Sequence, residues 1–477
     1  MLIFIENILC HFKSCFSRKA AFRWFVAITV GLMLRSDTLG VTSVIRDLAL
    51  SPSSYDTMLH FFRASSWSLE DIRRHWFSAV GLYAPLYKEG NLYVLVGDGV
   101  KQSKEGRRMP GVKKLFQESE NSAKPEYIHG HMFGGLGILA GCVRNWACIP
   151  LSIRLHDGLQ ASIGWKGSCV SAASHVVQMV EDAYRAALAF GDSLLLLDRY
   201  FLTVPALQKL RALNDSGAVR MEIITKAKKS CTAFQKPDPR RTGRGRPPKK
   251  GDAVHLKELF LTHKEQFRET EAELYGKKKT IRYYSVDLLW GQKLYQELRF
   301  VLVEMDGIQS ILASTSLTLD PMSIIRLYSY RFRIECTFRE LKQQIGAFCY
   351  HFWSKYMPKL NYYQKKGEPM PLEQVEEGHA RQKVLEAVRA IEMHMALSCI
   401  AIGILQSLSI RYIGKISSSQ IRYQRTPSKG RVSEATLMHY FRKHFFRLLG
   451  QKPELCITQI IQGLQEESEE YWDSLAS

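Results

Sequence analysis

The sequence predicts an α/β fold in which a mixed sheet is interrupted by an all-β insertion and flanked at both ends by helical regions. Three observations support this prediction. Apolar strand patterns alternate with helical patterns between residues 90 and 230, as expected of a sheet covered on both faces. The stretch "QKPDPRRTGRGRPPKKGD" (235–252) has no apolar residue and precedes three further strand patterns. Residues 1–88 and 376–477 carry mainly helical patterns.

The N-terminal region reads as several short amphipathic helices. "TSVIRDLAL", "SPSSYDTMLHFFRAS" and "SLEDIRRHWFSAV" have helical spacing of apolar residues, and the serines at 51–54 predict a break and a helix N-cap. This region fits a small DNA-binding module or a plain helical support domain. Its basic residues are Arg46, Arg63, Arg73 and Arg74.

The central region predicts the element order β-β-β-α-β-α-β. Its strands are "NLYVLVGD" (91–98), 131–141, 147–158, "SLLLLDRYF" (193–201) and "VRMEIITKA". A long helix is expected at 171–190, and a second one follows at "VPALQKLRAL". Beyond the basic loop, residues 280–290, 294–307 and 309–319 predict a three-strand meander, the all-β insertion.

An ordered row of polar residues is predicted on the segment "LYSYRFRIECTFRELKQQ" (327–344). Tyr328, Arg331, Glu335 and Lys342 are offset by 3, 7 and 14 residues, so on one continuous helix they share a stripe about 60° wide. Apolar residues border that stripe. An amphipathic helix with a solvated charged edge would show the same periodicity, so the pattern alone does not establish a site.

Two acids end apolar strands of the predicted sheet, Asp98 and Asp198. Each is either a turn or strand-end residue or the ligand of a positive group. Asp192 and Asp157 are weaker rivals because both lie in turns. With Glu335 as a third carboxylate, the cluster requires a divalent cation, and oxygen ligands favour Mg²⁺ or Mn²⁺. Two such ions support phosphoryl transfer.

The charge balance points to a polyanionic partner. Lys and Arg number 66 against 46 Asp and Glu, a formal charge of +20, which favours nucleic acid first and anionic membrane second. Ten scattered cysteines, with no CxxC pair and no Cys/His cluster at zinc spacing, indicate a reducing compartment and argue against both a disulfide framework and a structural zinc. The apolar stretches 24–34 and 395–410 are predicted to be buried helices and not membrane spans.

The polar row also carries a family resemblance. Its spacing, Y-(2)-R-(3)-E-(6)-K, resembles the YREK signature of bacterial insertion-sequence DDE transposases of the insertion-sequence-four-like group. The two strand-end acids and the β insertion before Glu335 add to the resemblance, which covers about residues 90–345. It implies an RNase H-like core with Asp98, Asp198 and Glu335 as catalytic metal ligands for two Mg²⁺ ions, Mn²⁺ substituting. It also implies that Tyr328, Arg331 and Lys342 contact DNA phosphates.

The resemblance further implies cut-and-paste transposition by a homodimer in the bacterial cytoplasm, associated with the nucleoid and not with a membrane. Its double-stranded DNA partners are the terminal inverted repeats and the target, with hairpin intermediates expected at the cleaved ends. The expected organisation is a helical DNA-binding region (1–88), the first part of the catalytic core (89–230), a basic loop and β insertion (231–320), the second part of the core (321–375) and C-terminal helices (376–477). Dimer contacts are expected on helices 382–412 and 433–449.

Several further residues are candidates for DNA contact. In relatives an aromatic residue of the insertion holds a flipped base; Trp290 is the candidate here, with Tyr283 or Phe300 equally suitable and a core role as the alternative. The loop "GRGRPPKK" suits a narrow minor groove or a linker that contacts phosphates only. His129 and His131 are expected to be structural or close to phosphate. The loop candidates are Arg244, Arg246, Lys249 and Lys250.

Three alternative functions remain at this stage. A domesticated relative that binds DNA without cutting would have lost one carboxylate of the triad, and none is lost in this sequence. A membrane-associated basic protein would use the two apolar helices. A simple RNase H-like nuclease is disfavoured by the large insertion and the helical flanks.

Overall fold

The computed structural model describes residues 1–117, 125–142, 145–156, 174–238, 247–361, 374–376, 378–412 and 432–476. Asp157, Arg244 and Arg246 lie outside the described residues. The architecture is mixed α/β, as predicted, and it contains both parallel and antiparallel strand pairs.

Helices occupy both ends of the described chain, and others alternate with the central strands. In chain order they are α1 (Leu2–Cys10), α2 (Lys19–Leu34), α3 (Thr42–Asp47), α4 (Ser54–Arg63), α5 (Leu69–Tyr83), α6 (His175–Phe190), α7 (Val204–Ser216), α8 (Leu259–Thr262), α9 (Pro321–Ser329), α10 (Phe332–Glu340), α11 (Gly378–Arg411), α12 (Glu434–Gly450) and α13 (Cys456–Ala476).

The strands follow the predicted order, with short additions. They are β1 (Lys88–Glu89), β2 (Leu92–Ser103), β3 (Lys113–Phe116), β4 (Tyr127–Ala140), β5 (Ala147–Leu155), β6 (Ser193–Leu197), β7 (Met221–Ala227), β8 (Thr232–Phe234), β9 (Ala253–His255), β10 (Arg268–Leu274), β11 (Lys277–Trp290), β12 (Gln296–Met305) and β13 (Ile308–Ser314). The predicted meander is β11–β12–β13. The pattern did not predict β10, which pairs with β11.

The chain forms two compact units. We call Tyr87–Asp98 with His175–Glu335 the sheet unit, and Met1–Leu86 with Gly99–Ser174 and Cys336–Ser477 the helical unit. The chain passes between them within β2 and within α10.

The sheet unit is built on three parallel strands. β2 pairs with β6, and β6 pairs with β7, both in parallel; β13, β12 and β11 then continue the sheet in antiparallel order. Strand β6 is five buried residues, "SLLLL", the composition of a strand covered on both faces. Gly97 fits close packing beside Asp98, since a Cβ there would lie 2.8 Å from both Leu197 Cδ2 and Met179 Sδ.

The β insertion extends this sheet and is not a separate layer. Leu312 of β13 pairs with Lys226 of β7, and the insertion shares one apolar core with the helix and strand before it. We call this cluster the insertion core; its buried members include Leu207 of α7, Ala227 of β7, and Leu298, Phe300 and Ala313. Burial of apolar side chains against α7 and β7 therefore holds the insertion in place.

The helical unit contains the antiparallel strands β3, β4 and β5, of which β4 pairs with both others, and a long buried helix, α11. The Glu392 carboxylate of α11 accepts a hydrogen bond from the Leu155 amide at 3.2 Å. It also forms an ion pair with Arg73 at 3.3 Å. Gly403 lets α11 approach α5, since a Cβ there would lie 2.4 Å from a ring atom of Trp76. This helix therefore forms the centre of the unit.

Both apolar stretches of the sequence are buried helices, as predicted. Residues 24–34 lie in α2, where every side chain from Trp24 to Leu34 is buried. Among the described residues, α11 is the one helix long and apolar enough to cross a membrane, and its apolar stretch is almost wholly buried inside the protein.

The segment that carries the polar row is not one continuous helix. α9 ends at Ser329, Tyr330 and Arg331 form a turn, α10 begins at Phe332, and residues Leu341–Ile345 form a π-helix. The Tyr330 and Arg331 amides donate to the carbonyls three residues earlier. The prediction of a single stripe at 100° per residue is therefore wrong. The i→i−3 hydrogen bonds at this turn change the direction in which the Arg331 side chain leaves the backbone. An argument from helical periodicity assumes a continuous α-helix and does not include such a turn.

Candidate active site

The two candidate acids are positioned by adjacent parallel strands. Val96 of β2 pairs with Leu196 of β6, so Asp98 lies level with Asp198, on strands about 4.8 Å apart. Asp198 directly follows β6, as predicted, whereas the prediction that Asp98 ends its strand is wrong, because β2 continues to Ser103. The Thr225 hydroxyl of β7 donates to the Asp198 carbonyl at 2.8 Å, which fixes the strand end.

Arg331 joins Asp98 and Glu335. Its Nη1 lies 3.1 Å from Asp98 Oδ2, and its Nη2 donates to Glu335 Oε1. The Arg331 side chain is 14% exposed, against 21% for Asp98 and 39% for Glu335. Burial alone would lower the pKa of Arg331, yet the Asp98 and Glu335 charges raise it above its ordinary value. The guanidinium therefore stays charged and holds two carboxylates of the triad together.

Tyr328 lies in the same group. Its hydroxyl interacts electrostatically with Arg331, Asp198 and Asp98. Burial raises the pKa of Tyr328 well above its ordinary value; Arg331 opposes this shift, and the two carboxylates add to it. The phenol is therefore protonated at neutral pH and can donate a hydrogen bond. Tyr328 and Arg331 belong to the sheet unit, and so do the three carboxylates, Asp98, Asp198 and Glu335.

The weaker acidic rival, Asp192, lies at the other end of β6. Its Oδ1 accepts the Arg220 amide at 2.8 Å, and its side chain is exposed. This is a turn interaction that organises the entry to β6 and β7, as expected for an acid in a tight turn.

The structure adds Tyr275, which sequence analysis missed. Tyr275 and Gly276 form the turn between β10 and β11, with φ of +54° and +73°, the backbone of a tight hairpin turn. The Tyr275 ring is exposed, and its hydroxyl interacts electrostatically with Arg331 and Tyr328. The dipeptide Tyr-Gly is a detectable turn signal, but nothing in the sequence connects it with residue 331.

The other basic residues predicted to contact DNA, within the described residues, are three lysines. Lys342 belongs to the helical unit, where it lies in the π-helix with its ammonium 5.5 Å from the Phe348 ring centre. Lys249 is exposed, and the Lys250 ammonium lies 3.7 Å from the Phe234 ring centre.

The aromatic candidates of the insertion are mostly core residues. Trp290 packs half-buried on the insertion core and donates its indole N–H to Cys231 Sγ at 3.2 Å, and Phe300 is fully buried. Trp290 also lies at the opposite end of β11 from the hairpin tip that carries Tyr275. Tyr283 is half-buried in the middle of β11.

His131 is structural, one of the two roles expected for it. It is fully buried in the helical unit; its Nδ1 lies 2.6 Å from the Tyr350 hydroxyl and its Nε2 lies 2.8 Å from the Pro110 carbonyl. Burial lowers the pKa of His131 to about 4, so the imidazole is neutral.

The residues present fit a divalent cation at the edge of the sheet unit. Three carboxylates supply hard oxygen ligands. Arg331 contacts one oxygen of Asp98 and one of Glu335, so a cation would bind the remaining oxygens or take the place of the guanidinium. Within the described residues, a tighter group of possible ligands is Glu6, Cys10 and Cys456. Both Glu6 oxygens accept backbone amides, from Cys456 at 2.8 Å and from Ile457 at 2.9 Å. These two amides are the first of α13, so the Glu6 carboxylate acts as a cap of that helix. Burial raises the pKa of Cys10 to about 12, so its thiol is protonated.

Carboxylates gathered with an arginine and a protonated tyrosine at the edge of a mixed sheet are suited to metal-dependent cleavage of phosphodiesters. The sequence comparison agrees: the chain belongs to the family described as DDE superfamily endonuclease, whose profile matches residues 11–283. Asp98 and Asp198 lie within the matched residues, and Glu335 lies beyond them. No curated protein and no solved structure matches the chain.

Proposed function

We propose that this protein is a DNA transposase that cuts and pastes its own element. It binds the terminal inverted repeats, cleaves both strands through hairpin intermediates and joins the 3′-hydroxyl ends to target DNA. The observation that carries the proposal is the Arg331 bridge between Asp98 and Glu335 beside Asp198, in a chain of the DDE endonuclease family. The YREK subgroup and an RNase H-like core are part of this proposal, supported by the parallel strands β2, β6 and β7 with α6 and α7.

Asp98, Asp198 and Glu335 would hold two Mg²⁺ ions, with Mn²⁺ as a substitute. When bound, such ions supply activation of the attacking oxygen and charge stabilisation of the leaving oxygen. Arg331 orients two of the carboxylates before DNA arrives, so little reorganisation is needed on binding. Tyr328 donates a hydrogen bond to a phosphate oxygen, because its raised pKa keeps the phenol protonated.

DNA contact extends beyond the carboxylates. The exposed Lys249, Lys250 and Lys342 bind backbone phosphates, which the net charge of +20 favours. Arg244 and Arg246 are proposed contacts of the same loop. For the base-holding aromatic, the placement of Tyr275 makes it a better candidate than Trp290.

The working form is proposed to be a homodimer in the bacterial cytoplasm, because two ends must be paired. The surface for the partner is proposed on α12, which has exposed side chains such as Phe446. Helix α11 is less suitable than its sequence predicted, because its apolar side chains are buried within its own unit.

The test is strand cleavage of linear DNA carrying the sequences that flank the coding region, in Mg²⁺, on a denaturing gel. We expect the wild type to give cut strands and a slow hairpin band, and Glu335→Gln to give neither. Glu258→Gln is the matched control, since it makes the same change at an exposed carboxylate of the same unit. Binding without cleavage by the wild type would instead support a DNA-binding relative. Cleavage by Glu335→Gln would refute the role of Glu335.

A further inference from the structure

A wide groove of the helical unit has no role in the function proposed above. Its volume is about 1290 Å³, larger than the roughly 300–1,000 Å³ of pockets that enclose a small molecule. Its walls include α4, the segment 350–356 and the first half of α11. All of these belong to the helical unit, so the groove lies within one unit. Its size suits an extended polymer better than a small ligand.

The segment 350–356 exposes every second side chain. His351, Trp353 and Lys355 are exposed, and the residues that alternate with them are buried. Residues 349–354 form neither helix nor strand, so the alternation is that of an extended chain packed on one side. Trp353 is 55% exposed, which leaves its indole available to a ligand.

The backbone of this segment is held in place. The Ser354 amide donates to the Arg108 carbonyl at 3.2 Å, and Arg108 Nη1 donates to the Lys355 carbonyl at 2.6 Å. The Phe352 ring packs on the Phe62 ring of α4, with 5.1 Å between the ring centres. The exposed side chains of the segment are therefore carried by an ordered backbone, so binding a ligand there requires little further ordering of the chain.

The charged lining of the groove is mostly basic. Among the described residues that line it, Glu386 is the one acid, and it forms an ion pair with Lys383 at 2.8 Å. The other cations of the lining are Arg63, Lys355 and Arg389, of which the first two are exposed. Positive charge beside an exposed aromatic ring is the combination that binds single-stranded nucleic acid, because cations contact the phosphates while a ring stacks on a base.

We propose that this groove binds single-stranded DNA, with Trp353 stacking on a base and Arg63 and Lys355 contacting backbone phosphates. Bases in a duplex are stacked on each other, so an exposed indole favours a separated strand. This inference rests on the proposed function only for the choice of DNA over other polyanions. It assigns to the helical unit a DNA contact that is separate from the carboxylates of the sheet unit.

The first measurement is the affinity of the full chain for a fluorescent oligodeoxythymidine of about 16 nucleotides, in EDTA to prevent cleavage. We expect Trp353→Ala to weaken binding about tenfold. Trp353→Phe should bind nearly as well as the wild type, because it keeps a flat ring. Phe116→Ala removes an exposed aromatic residue of the same unit outside the groove and should bind like the wild type. Affinity for a blunt duplex should be unchanged in all three.

The second measurement separates the bases from the phosphates. On an abasic strand of the same length, Trp353→Ala should bind like the wild type, whereas Lys355→Met should still bind more weakly. Lys355→Met should also reduce the slope of log affinity against log salt by about 0.7. Lys19→Met makes the same change at an exposed lysine of the same unit and should leave the slope unchanged. Circular dichroism and thermal melting establish that each variant is folded.

Equal affinity of folded Trp353→Ala and wild type for the oligodeoxythymidine would overturn the single-strand groove, even if cleavage is intact. Failure of the wild type to bind this strand would also overturn it, as would an equal effect of Trp353→Ala on duplex and single strand. Failure of the wild type to cleave, with the Trp353 effect present, would instead refute the proposed function and leave the groove standing.

Discussion

Each unit holds an arginine with little exposure, and the two arginines differ in their main partners. Arg331 of the sheet unit donates to the carboxylates of Asp98 and Glu335. Arg35 of the helical unit is fully buried and donates to backbone carbonyls of Asp37, Ile345 and Gly40 at 2.6, 2.8 and 2.9 Å, with one carboxylate, that of Asp37, 3.6 Å away.

The difference in partners indicates a functional role for Arg331 and a structural role for Arg35. Carbonyls at fixed positions satisfy a buried cation and join chain segments, so Arg35 stabilises the fold. Lys104 repeats this pattern, donating to the Phe348 and Tyr350 carbonyls at 2.6 and 3.0 Å. Clustered carboxylates, in contrast, add like charges that a fold does not need. The polar groups of the sheet unit should therefore affect catalysis, and the buried polar groups of the helical unit should affect stability.

The largest expected effect is on catalysis. Asp198→Asn should lower the rate of DNA cleavage by more than about a hundredfold, since even groups that only orient metal ligands cost 10- to 100-fold when removed. The free energy of unfolding should stay within about 0.5 kcal/mol of the wild type, because Asn keeps the size of the side chain and the backbone carbonyl of residue 198 still accepts from the Thr225 hydroxyl. Cleavage assays and urea unfolding check this pair of results. A parallel loss of stability would contradict the division between the units.

The second-largest effect is expected on the free energy of unfolding, from a substitution in the helical unit. Arg35→Met should lower the free energy of unfolding by about 3 kcal/mol, because it leaves buried carbonyls without donors. Urea unfolding followed by circular dichroism measures this change. Arg46→Met, which removes an exposed arginine, serves as the control and should unfold like the wild type. Wild-type stability in Arg35→Met would show that water or neighbouring groups satisfy these carbonyls.

A smaller effect is expected from pH. The folded-state pKa of His131, about 4, lies below the unfolded value of about 6.5. The unfolded state therefore binds more protons between these values, and stability falls as pH drops from 6.5 towards 4. Between pH 7 and pH 5 the loss is about 2 kcal/mol. In His131→Gln, the difference between the unfolding free energies at pH 7 and pH 5 should be smaller than in the wild type by that amount. Urea unfolding at both pH values measures it. An unchanged difference would assign the pH dependence to other groups.

The smallest effect concerns the hairpin tip. Tyr275→Gly should change the free energy of unfolding by less than about 1 kcal/mol, since glycine accepts a positive φ without strain. Loss of an aromatic contact with DNA should reduce cleavage about tenfold. Asp306→Gly makes the same backbone change at another turn residue of positive φ and should retain cleavage. Equal activity of Tyr275→Gly and wild type would exclude a DNA contact by this ring.

The sequence by itself determined the main elements and the three acids. Apolar runs such as "SLLLL" locate the strands because burial on both faces requires them, and an acid that directly follows such a run, as Asp198 does, is conspicuous. The spacing of Tyr328, Arg331 and Glu335 likewise identified residues that the structure groups in the sheet unit.

Tertiary structure decided what contacts those residues. Periodicity assumes one continuous helix, so it could not include the turn at Tyr330 and Arg331 that aims the guanidinium at Asp98. Tyr275 interacts with Arg331 through the hairpin turn between β10 and β11, and the position of that hairpin depends on strand pairing between residues far apart in sequence. The amino-acid sequence therefore identifies the candidate metal ligands. Which positively charged side chains contact them depends on packing between residues far apart in the chain.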